Sequence, residues 1–149
     1  ELKNWIFGNG IHMIDMFLFL GGDTKSITST SRQWKEEITK DSFHSLVEFK
    51  NGAVGQYISN WSSPGGWSVK MYGNGVRVDI APMEEGKVFY SDGRVEELVV
   101  SDKDKDFKPG IYKQNRMFVD ACLGKGKVSY PAATLKDSLK VMEFIEDIL

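Results

Sequence analysis

The feature that most constrains the fold is a long block of β-branched and aromatic runs, residues 25–100, divided by tight-turn signals. Asn51-Gly52 and Asp92-Gly93 are residue pairs typical of two-residue hairpins, whose central positions need positive φ angles. Gly73-Asn74-Gly75 is either a third hairpin or a bulge. Short turns join antiparallel neighbours, so the block predicts a mostly antiparallel sheet. The expected strands cover 25–36, 43–50, 53–62, 67–73, 76–81, 87–91 and 94–100.

Helices are predicted on both sides of this block. The first begins at Asn9-Gly10, with Asn9 as its N-cap, and ends at Gly21-Gly22. A second covers roughly 110–123, and a third opens at a capping box formed by Thr134 and Asp137.

Two local predictions concern the segment before and within the second helix. The run 101–106 alternates in charge and contains no apolar residue, which predicts a solvated connection. The helical spacing then predicts an inward face that includes Cys122, so a packed thiol is favoured over a nucleophile. The other members of that face are Ile111, Asn115, Phe118, Val119 and Leu123.

These elements predict one α+β domain over residues 1–149, an open, mostly antiparallel (mixed) sheet with helices packed on one face. The other face would be bare and rich in aromatic residues, and a large apolar patch is rare on a monomer. We therefore expect a homodimer or tetramer formed through the open sheet face. The expected members of that face are Trp34, Phe43, Phe49, Tyr57, Trp61, Trp67 and Tyr72.

Composition excludes several classes of function. The 19 basic residues are scattered among 21 acidic ones, for a net charge of -2, which argues against nucleic acid as a partner. The most apolar stretch, 11–20, is well short of the about 20 residues that a membrane span needs. No signal layout opens the chain, so a cytoplasmic location is expected. His12 and His44 lie far apart without further ligands nearby, so no metal site is predicted.

The chain contains three Gly-x-Gly triplets, and none predicts a dinucleotide loop. The Rossmann pattern requires a third glycine three residues later, where this sequence has Met13, Val78 and Ser129. No cofactor-binding residue is therefore assigned within these 149 residues.

His12 is the strongest catalytic candidate. It lies in the first turn of the most apolar helix, with Asp15 three residues on as a lateral neighbour. The positive end of a helix disfavours imidazolium, so a histidine there can exchange a proton at neutral pH. The alternative is a core histidine satisfied by Asp15 or by a strand carbonyl.

Five segments in order give the chain a resemblance to a known family. They are Gly-Ile-His-Met-Ile-Asp-Met-Phe-Leu-Phe-Leu-Gly-Gly-Asp (10–23), Lys-Asn-Gly-Ala-Val-Gly (50–55), 69–79, 112–124 and 130–145. The chain resembles the C-terminal domain of the Gfo/Idh/MocA family, the glucose-fructose oxidoreductase and inositol dehydrogenase type. The resemblance covers essentially the whole chain.

The resemblance implies that a Rossmann domain binding NAD or NADP precedes this segment, so the chain looks like an excised fragment that would be inactive alone. The implied reaction is oxidation of a sugar, polyol or sugar-nucleotide hydroxyl. His12 matches the family's catalytic helix histidine. Asn9 is expected to position substrate, and Asn60 and Trp61 are further substrate-binding predictions from their place at a strand end.

One departure from the family pattern leaves an alternative open. Many members have an aspartate four residues before the histidine, where this chain has Gly8. Without that carboxylate the chain is either a substrate domain whose His12 acts with a lysine of the preceding domain, or a non-catalytic binding or assembly module of the same fold.

Overall fold

The computed structural model describes residues 4–149 and contains the seven predicted strands, each within a few residues of its expected position. They are β1 (Thr24–Arg32), β2 (Ser42–Phe49), β3 (Val54–Asn60), β4 (Val69–Gly73), β5 (Val76–Ile80), β6 (Gly86–Tyr90) and β7 (Val95–Leu98). The helices are α1 (Ile11–Gly21), which a π-helical turn (Ile6–Gly10) precedes, α2 (Asp102–Asp106), α3 (Ile111–Cys122) and α4 (Leu135–Ile148).

The chain divides into two compact units. The first comprises residues 4–64 and 133–149 and contains the sheet β1-β2-β3, and the second comprises 65–132 and contains the sheet β4-β5-β6-β7. The pairs formed by these strands are antiparallel, which confirms the α+β class. The expectation of one sheet is wrong, because the strands form two sheets.

The core of the first unit lies between its sheet and two helices. Buried and exposed residues alternate strictly along most of β2, so Phe43, Val47 and Phe49 face the helices. Ile14 of α1 and Phe144 of α4 are buried against them. The buried residues of this core also include Trp5, Ile6, Ile38, Tyr57, Val141, Ile145 and Ile148.

Glycine allows α1 to approach the sheet closely. A Cβ at Gly55 of β3 would lie 2.6 Å from the Phe17 ring, and one at Gly21 would lie 2.1 Å from the Phe49 ring. Neither position has room for a side chain, so both glycines serve helix-to-sheet packing rather than backbone freedom.

The other face of the first sheet is exposed, but its residues are not the ones predicted. Phe43, Phe49 and Tyr57 are buried on the helix side. Trp34, Trp61 and Trp67 lie outside the strands, and Tyr72 belongs to the second sheet. The exposed residues of this face, here named the open face, are Ser26, Thr28, Thr30, Arg32, His44, Leu46, Glu48, Val54, Gln56 and Ile58.

Two predictions fail in the second unit. Residues 102–106 form a short helix in which Asp104 is buried and accepts a bond from the Gly110 backbone N–H at 3.1 Å, so the run is not a simple solvated connection. No residue of α3 is buried, and Cys122 is exposed instead of packed.

The observed turns and helix caps agree with several of those predicted from the sequence. The turn glycines have positive φ, 89° at Gly52, 74° at Gly75 and 89° at Gly93, and Gly73-Asn74-Gly75 joins the hairpin β4–β5. Thr134 and Asp137 form the predicted capping box at the start of α4. Between residues 4 and 149, no helix combines the length and the apolar character that crossing a bilayer requires.

Gly55→Ala should destabilise the first unit by about 1–3 kcal/mol, because the added methyl group overpacks the Phe17 contact. Urea unfolding measures the loss. Gly8→Ala is the matched control: a Cβ there meets nothing within 4 Å, so it should be neutral or should stabilise by up to about 1 kcal/mol. Equal stability of Gly55→Ala and wild type would contradict the close approach.

Candidate functional site

His12 and Asn9 lie on the same helical segment of the first unit. His12 is exposed on α1, and Asn9 is half-buried in the π-helical turn, three residues before it. Wide π-helical turns are rare, and they occur frequently at functional sites. The segment therefore carries an imidazole and an amide three positions apart in the sequence.

The start of this helix differs from the prediction. Asn9 is not an N-cap, because Ile6–Gly10 is already helical and Gly10 has helical angles of φ -58° and ψ -29°. His12 consequently lies more than a turn inside a continuous helical segment. The expected effect of a helix N-terminus on this imidazole is therefore wrong, since the dipole effect is confined to the first turn.

The Asp15 carboxyl interacts electrostatically with His12 on α1 and with Asp137 near the start of α4. Burial raises the pKa of Asp15, the negative charge of Asp137 raises it further, and His12 acts in the opposite direction. Asp137 belongs to the capping box of α4, and its hydrogen bonds with Thr134 lower its own pKa. The electrostatic surroundings of Asp15 thus include both His12 and a carboxylate from a second helix.

Trp61 connects the end of β3 to the segment that carries Asn9. Its ring stacks on Trp5 with centroids 5.1 Å apart, and Trp5 donates from Nε1 to the Lys40 carbonyl at 2.8 Å. Trp5 also packs against Phe43 at 5.7 Å. Trp61 keeps 39% of its surface exposed, so the stack fixes an accessible indole.

A buried carboxylate holds the loop before β2. Asp41 accepts hydrogen bonds from the Trp34 backbone N–H at 2.7 Å and from the Ser62 hydroxyl at 2.6 Å, and its carbonyl accepts from the Trp61 N–H at 2.8 Å. Burial acts to raise the pKa of Asp41, but bonds from Ser62 and from the Trp34 and Lys35 backbone outweigh it and lower the pKa. Asp41 therefore ties the loop before β2 to Trp61 and Ser62.

Asn60 does not join this group. Its Oδ1 accepts from the Ser42 hydroxyl at 2.7 Å, and Ser42 also bonds to His44 Nε2 at 3.1 Å. His44 belongs to the open face, which carries a shallow depression of about 310 Å³. The structure therefore associates Trp61 with the helix side of the sheet and Asn60 with the opposite face.

The described residues offer no evident place for a metal ion or for a dinucleotide. Among residues 4–149, no three histidine, cysteine or carboxylate side chains come together as metal ligands would. Gly8-Asn9-Gly10 lies within the π-helical turn, Gly73-Asn74-Gly75 forms the turn of a hairpin, and Gly124-Lys125-Gly126 follows α3. None stands between a strand and a helix, as a pyrophosphate loop must.

Sequence reasoning missed Asp41 and the polar chain on His44. Nothing in the spacing reveals that Asp41 meets Ser62, because their contact depends on how β3 ends. The sequence does contain a signal for the contact between Ser42 and His44, because residues two apart on a strand lie on the same face of the sheet.

Comparison with known proteins identifies the kind of domain. Residues 4–81 match the family model described as GFO/IDH/MocA C-terminal domain. No curated protein sequence matches the chain.

Solved structures share the fold at low sequence identity. An aldose-aldose oxidoreductase from Caulobacter crescentus, complexed with glycerol, superposes with a TM-score of 0.75 at 16% identity, over 99% of this chain and 48% of that one. A UDP-N-acetylglucosamine 3-dehydrogenase from Acidithiobacillus ferrooxidans gives 0.74 at 12%, over 93% and 43%. An oxidoreductase from Agrobacterium radiobacter, in complex with NAD+, L-tartaric acid and magnesium, gives 0.71 at 17%, over 94% and 44%. This chain thus spans less than half the length of each.

Asp41→Asn should lower the free energy of unfolding by about 1–3 kcal/mol at pH 7, because the amide leaves a buried hydrogen-bond donor unsatisfied. The lowered pKa of folded Asp41 means that its carboxylate stabilises the fold above the unfolded pKa near 3.9. That contribution disappears as pH falls through the lower folded pKa, so wild type and variant should converge in acid.

Urea unfolding between pH 7 and pH 2.5 measures both effects of Asp41→Asn. Asp147→Asn is the control, since Asp147 is exposed on α4. Equal stability of wild type and Asp41→Asn at pH 7 would show that the carboxylate does not hold the loop.

Proposed function

The chain belongs to the Gfo/Idh/MocA family, as a C-terminal domain of that family, and we propose that it is the substrate-binding and association domain of an NAD(P)-dependent oxidoreductase. The proposed substrate is a hydroxyl of a sugar, polyol or sugar nucleotide. The observation that carries the proposal is the exposed His12 on α1, within the family's helix motif. A sugar-nucleotide dehydrogenase and an aldose oxidoreductase among the similar folds support this substrate class.

The chemistry assigned to this chain is the proton part of the reaction. Oxidising a carbinol removes a hydride from carbon and a proton from oxygen, and an imidazole near neutral pH can accept that proton. Asn9 can hydrogen-bond a neighbouring hydroxyl through its amide. Trp61 offers an exposed aromatic surface, held by Trp5, on which the apolar face of a sugar ring can pack.

The nicotinamide cofactor is not assigned to these residues. The three Gly-x-Gly triplets do not have the strand-turn-helix setting of a dinucleotide site, so this chain contributes substrate binding and proton transfer only. A preceding domain would have to hold the cofactor, in a protein longer than this chain.

Gly8 supports the second candidate, a non-catalytic binding or assembly module. The expected aspartate is missing although a side chain would fit, since nothing lies within 4 Å of a Cβ at this position. A domain that takes no part in catalysis would not need that carboxylate, so its loss fits this second candidate.

His12→Asn, made in the protein that carries a dinucleotide-binding domain together with this chain, should lower kcat/KM by about 10²–10⁴ for a responsive sugar. The loss should appear mainly in kcat, because the proton is transferred in the chemical step. Reduction of NAD(P) followed by absorbance measures it.

Leu20→Asn is the control for His12→Asn, as Leu20 is also exposed on α1. It should leave both constants near their wild-type values. Unchanged kcat/KM in His12→Asn would remove His12 from the chemistry and favour the assembly module.

We further propose that the open face associates with a second copy of the chain, to form a homodimer or a tetramer. Leu46, Val54 and Ile58 are 48%, 65% and 59% exposed on it. Between Arg32 at one end of this face and Glu48 at the other, the exposed residues are uncharged apart from His44. Burying the apolar side chains would supply the driving force for association.

Leu46→Glu should raise the dissociation constant of that dimer by about 100-fold or more, because each copy would bury a carboxylate in an apolar contact. Size-exclusion chromatography with light scattering should show half the wild-type mass. Val99→Glu, at a 79% exposed site outside this face, should leave the mass unchanged. A strictly monomeric wild type would contradict the association.

A further inference from the structure

The loop before β2, residues 33–41, lies at the end of the first sheet where β3 also ends. Ser42 pairs with Arg32 of β1 on one side and with Asn60 of β3 on the other. In an antiparallel sheet these positions share one end, so the end of β1, the start of β2 and the end of β3 lie together. The loop therefore lies beside Trp61, the residue that follows β3.

Two hydrogen bonds to one residue hold the backbones of Trp34 and Trp61 close together. The Trp34 N–H donates to the Asp41 carboxylate at 2.7 Å, and the Trp61 N–H donates to the Asp41 carbonyl at 2.8 Å. Because both bonds end on the same residue, the two backbone nitrogens lie within about 10 Å of each other. Trp5 stacks on Trp61 and donates to the Lys40 carbonyl, so the loop also meets the start of the helical segment that carries the proposed catalytic histidine.

Trp34 presents an exposed indole on an anchored loop. The backbone of this loop is held by the buried side chain of Ile38 and by the bonds to Asp41. Trp34 itself is 56% exposed and takes no part in the core. In the described part of the chain, no aromatic ring stacks on this indole and no acceptor bonds its Nε1. The indole therefore offers a free aromatic face and a free N–H donor to a ligand.

The charges around Trp34 favour a neutral, polar ligand. The segment 32–41 balances three basic side chains against three acidic ones, namely Arg32, Lys35 and Lys40 against Glu36, Glu37 and Asp41. A nucleoside diphosphate would need an excess of positive charge here. The core of a protein interface is depleted in lysine and glutamate, whereas Lys35, Glu36 and Glu37 are all exposed next to Trp34. A sugar fits this setting, because its C–H face packs on an indole and its hydroxyls bond charged side chains.

We propose that Trp61 and Trp34 bind two successive rings of one neutral saccharide, so that the substrate is a disaccharide or a longer sugar rather than a free monosaccharide. This inference rests on the proposed function and narrows its substrate class. Trp61 takes the ring that is oxidised, as proposed above, and Trp34 takes the ring linked to it. Trp34 is then a specificity-determining residue, because it adds contact area for the second ring.

The test is saccharide binding by the purified chain, followed by NMR titration with glucose, galactose and mannose and with maltose, cellobiose and lactose. The best disaccharide should bind roughly 10-fold more tightly than its own monosaccharides. Trp34→Ala should reduce this ratio to about twofold or less, since the second ring loses its contact. Trp34→Phe keeps an aromatic face and should retain most of the ratio.

Tyr72→Ala is the matched control for Trp34→Ala. Tyr72 is a 76% exposed aromatic residue, and it lies on the second sheet. Its removal should leave the ratio of disaccharide to monosaccharide affinity at the wild-type value. Both substitutions are at exposed positions, so thermal unfolding of each variant should match wild type closely.

The outcomes separate this inference from the function on which it rests. No binding of these sugars, equal affinity for disaccharides and monosaccharides, or an unchanged ratio in Trp34→Ala overturns the second-ring contact. Turnover that depends on His12 would still uphold the oxidoreductase. Binding of UDP that Trp34→Ala abolishes, or a lower mass of Trp34→Ala by light scattering, would assign the indole to a nucleotide or to a second copy and overturns the saccharide. A disaccharide preference that depends on Trp34, without turnover of any sugar, contradicts the proposed reaction instead.

Discussion

The first unit depends on the contact of one aromatic ring with three others. Phe17 of α1 packs against Phe49 of β2 at 5.3 Å, against Tyr57 of β3 at 6.1 Å and against Phe144 of α4 at 6.0 Å. These rings bring together residues distant in sequence, and tilted aromatic pairs add stability beyond the area they bury. The rest of α1, including His12, takes its position from this contact.

The sequence predicted the elements of the fold well, because turn and cap chemistry is local. The hairpin at Gly52, the helix stop at Gly22 and the capping box of Thr134 with Asp137 each depend on a few adjacent residues. The division of the strands into two sheets was not predictable in this way. This division depends on whether two strands separated by a loop pair with each other. No local sequence signal indicates that pairing.

The choice of face also could not be read from the pattern. Alternation along β2 shows that Phe43 and Leu46 lie on opposite faces, but it does not show which one the helices cover. Aromatic content suggested an open face rich in rings, whereas Phe43, Phe49 and Tyr57 are buried on the helix side and aliphatic residues lie outside. For the same reason the apolar stripe of α3 failed as a sign of burial, since periodicity identifies a stripe without identifying its partner.

For the candidate site, the sequence proposes His12 and Trp61 but does not show which residues hold them in place. The motif around His12 is contiguous in the sequence, so recognising it does not depend on predicting which residues meet in the folded structure. The stack of Trp5 on Trp61 and the bonds that Asp41 receives from Ser62 join residues 21 or more positions apart. Such contacts arise only when the loop before β2 and the end of β3 meet.

The wide turn Ile6–Gly10 changes the direction in which the residues before α1 project. A turn closed by bonds to the fifth residue holds more residues than an α-helical turn, so it shifts the phase of everything upstream. Counting back four residues from His12 enters that turn and reaches Gly8. A side chain introduced at Gly8 would therefore project at a different angle about the helix axis from one placed four residues before a histidine on a regular α-helix.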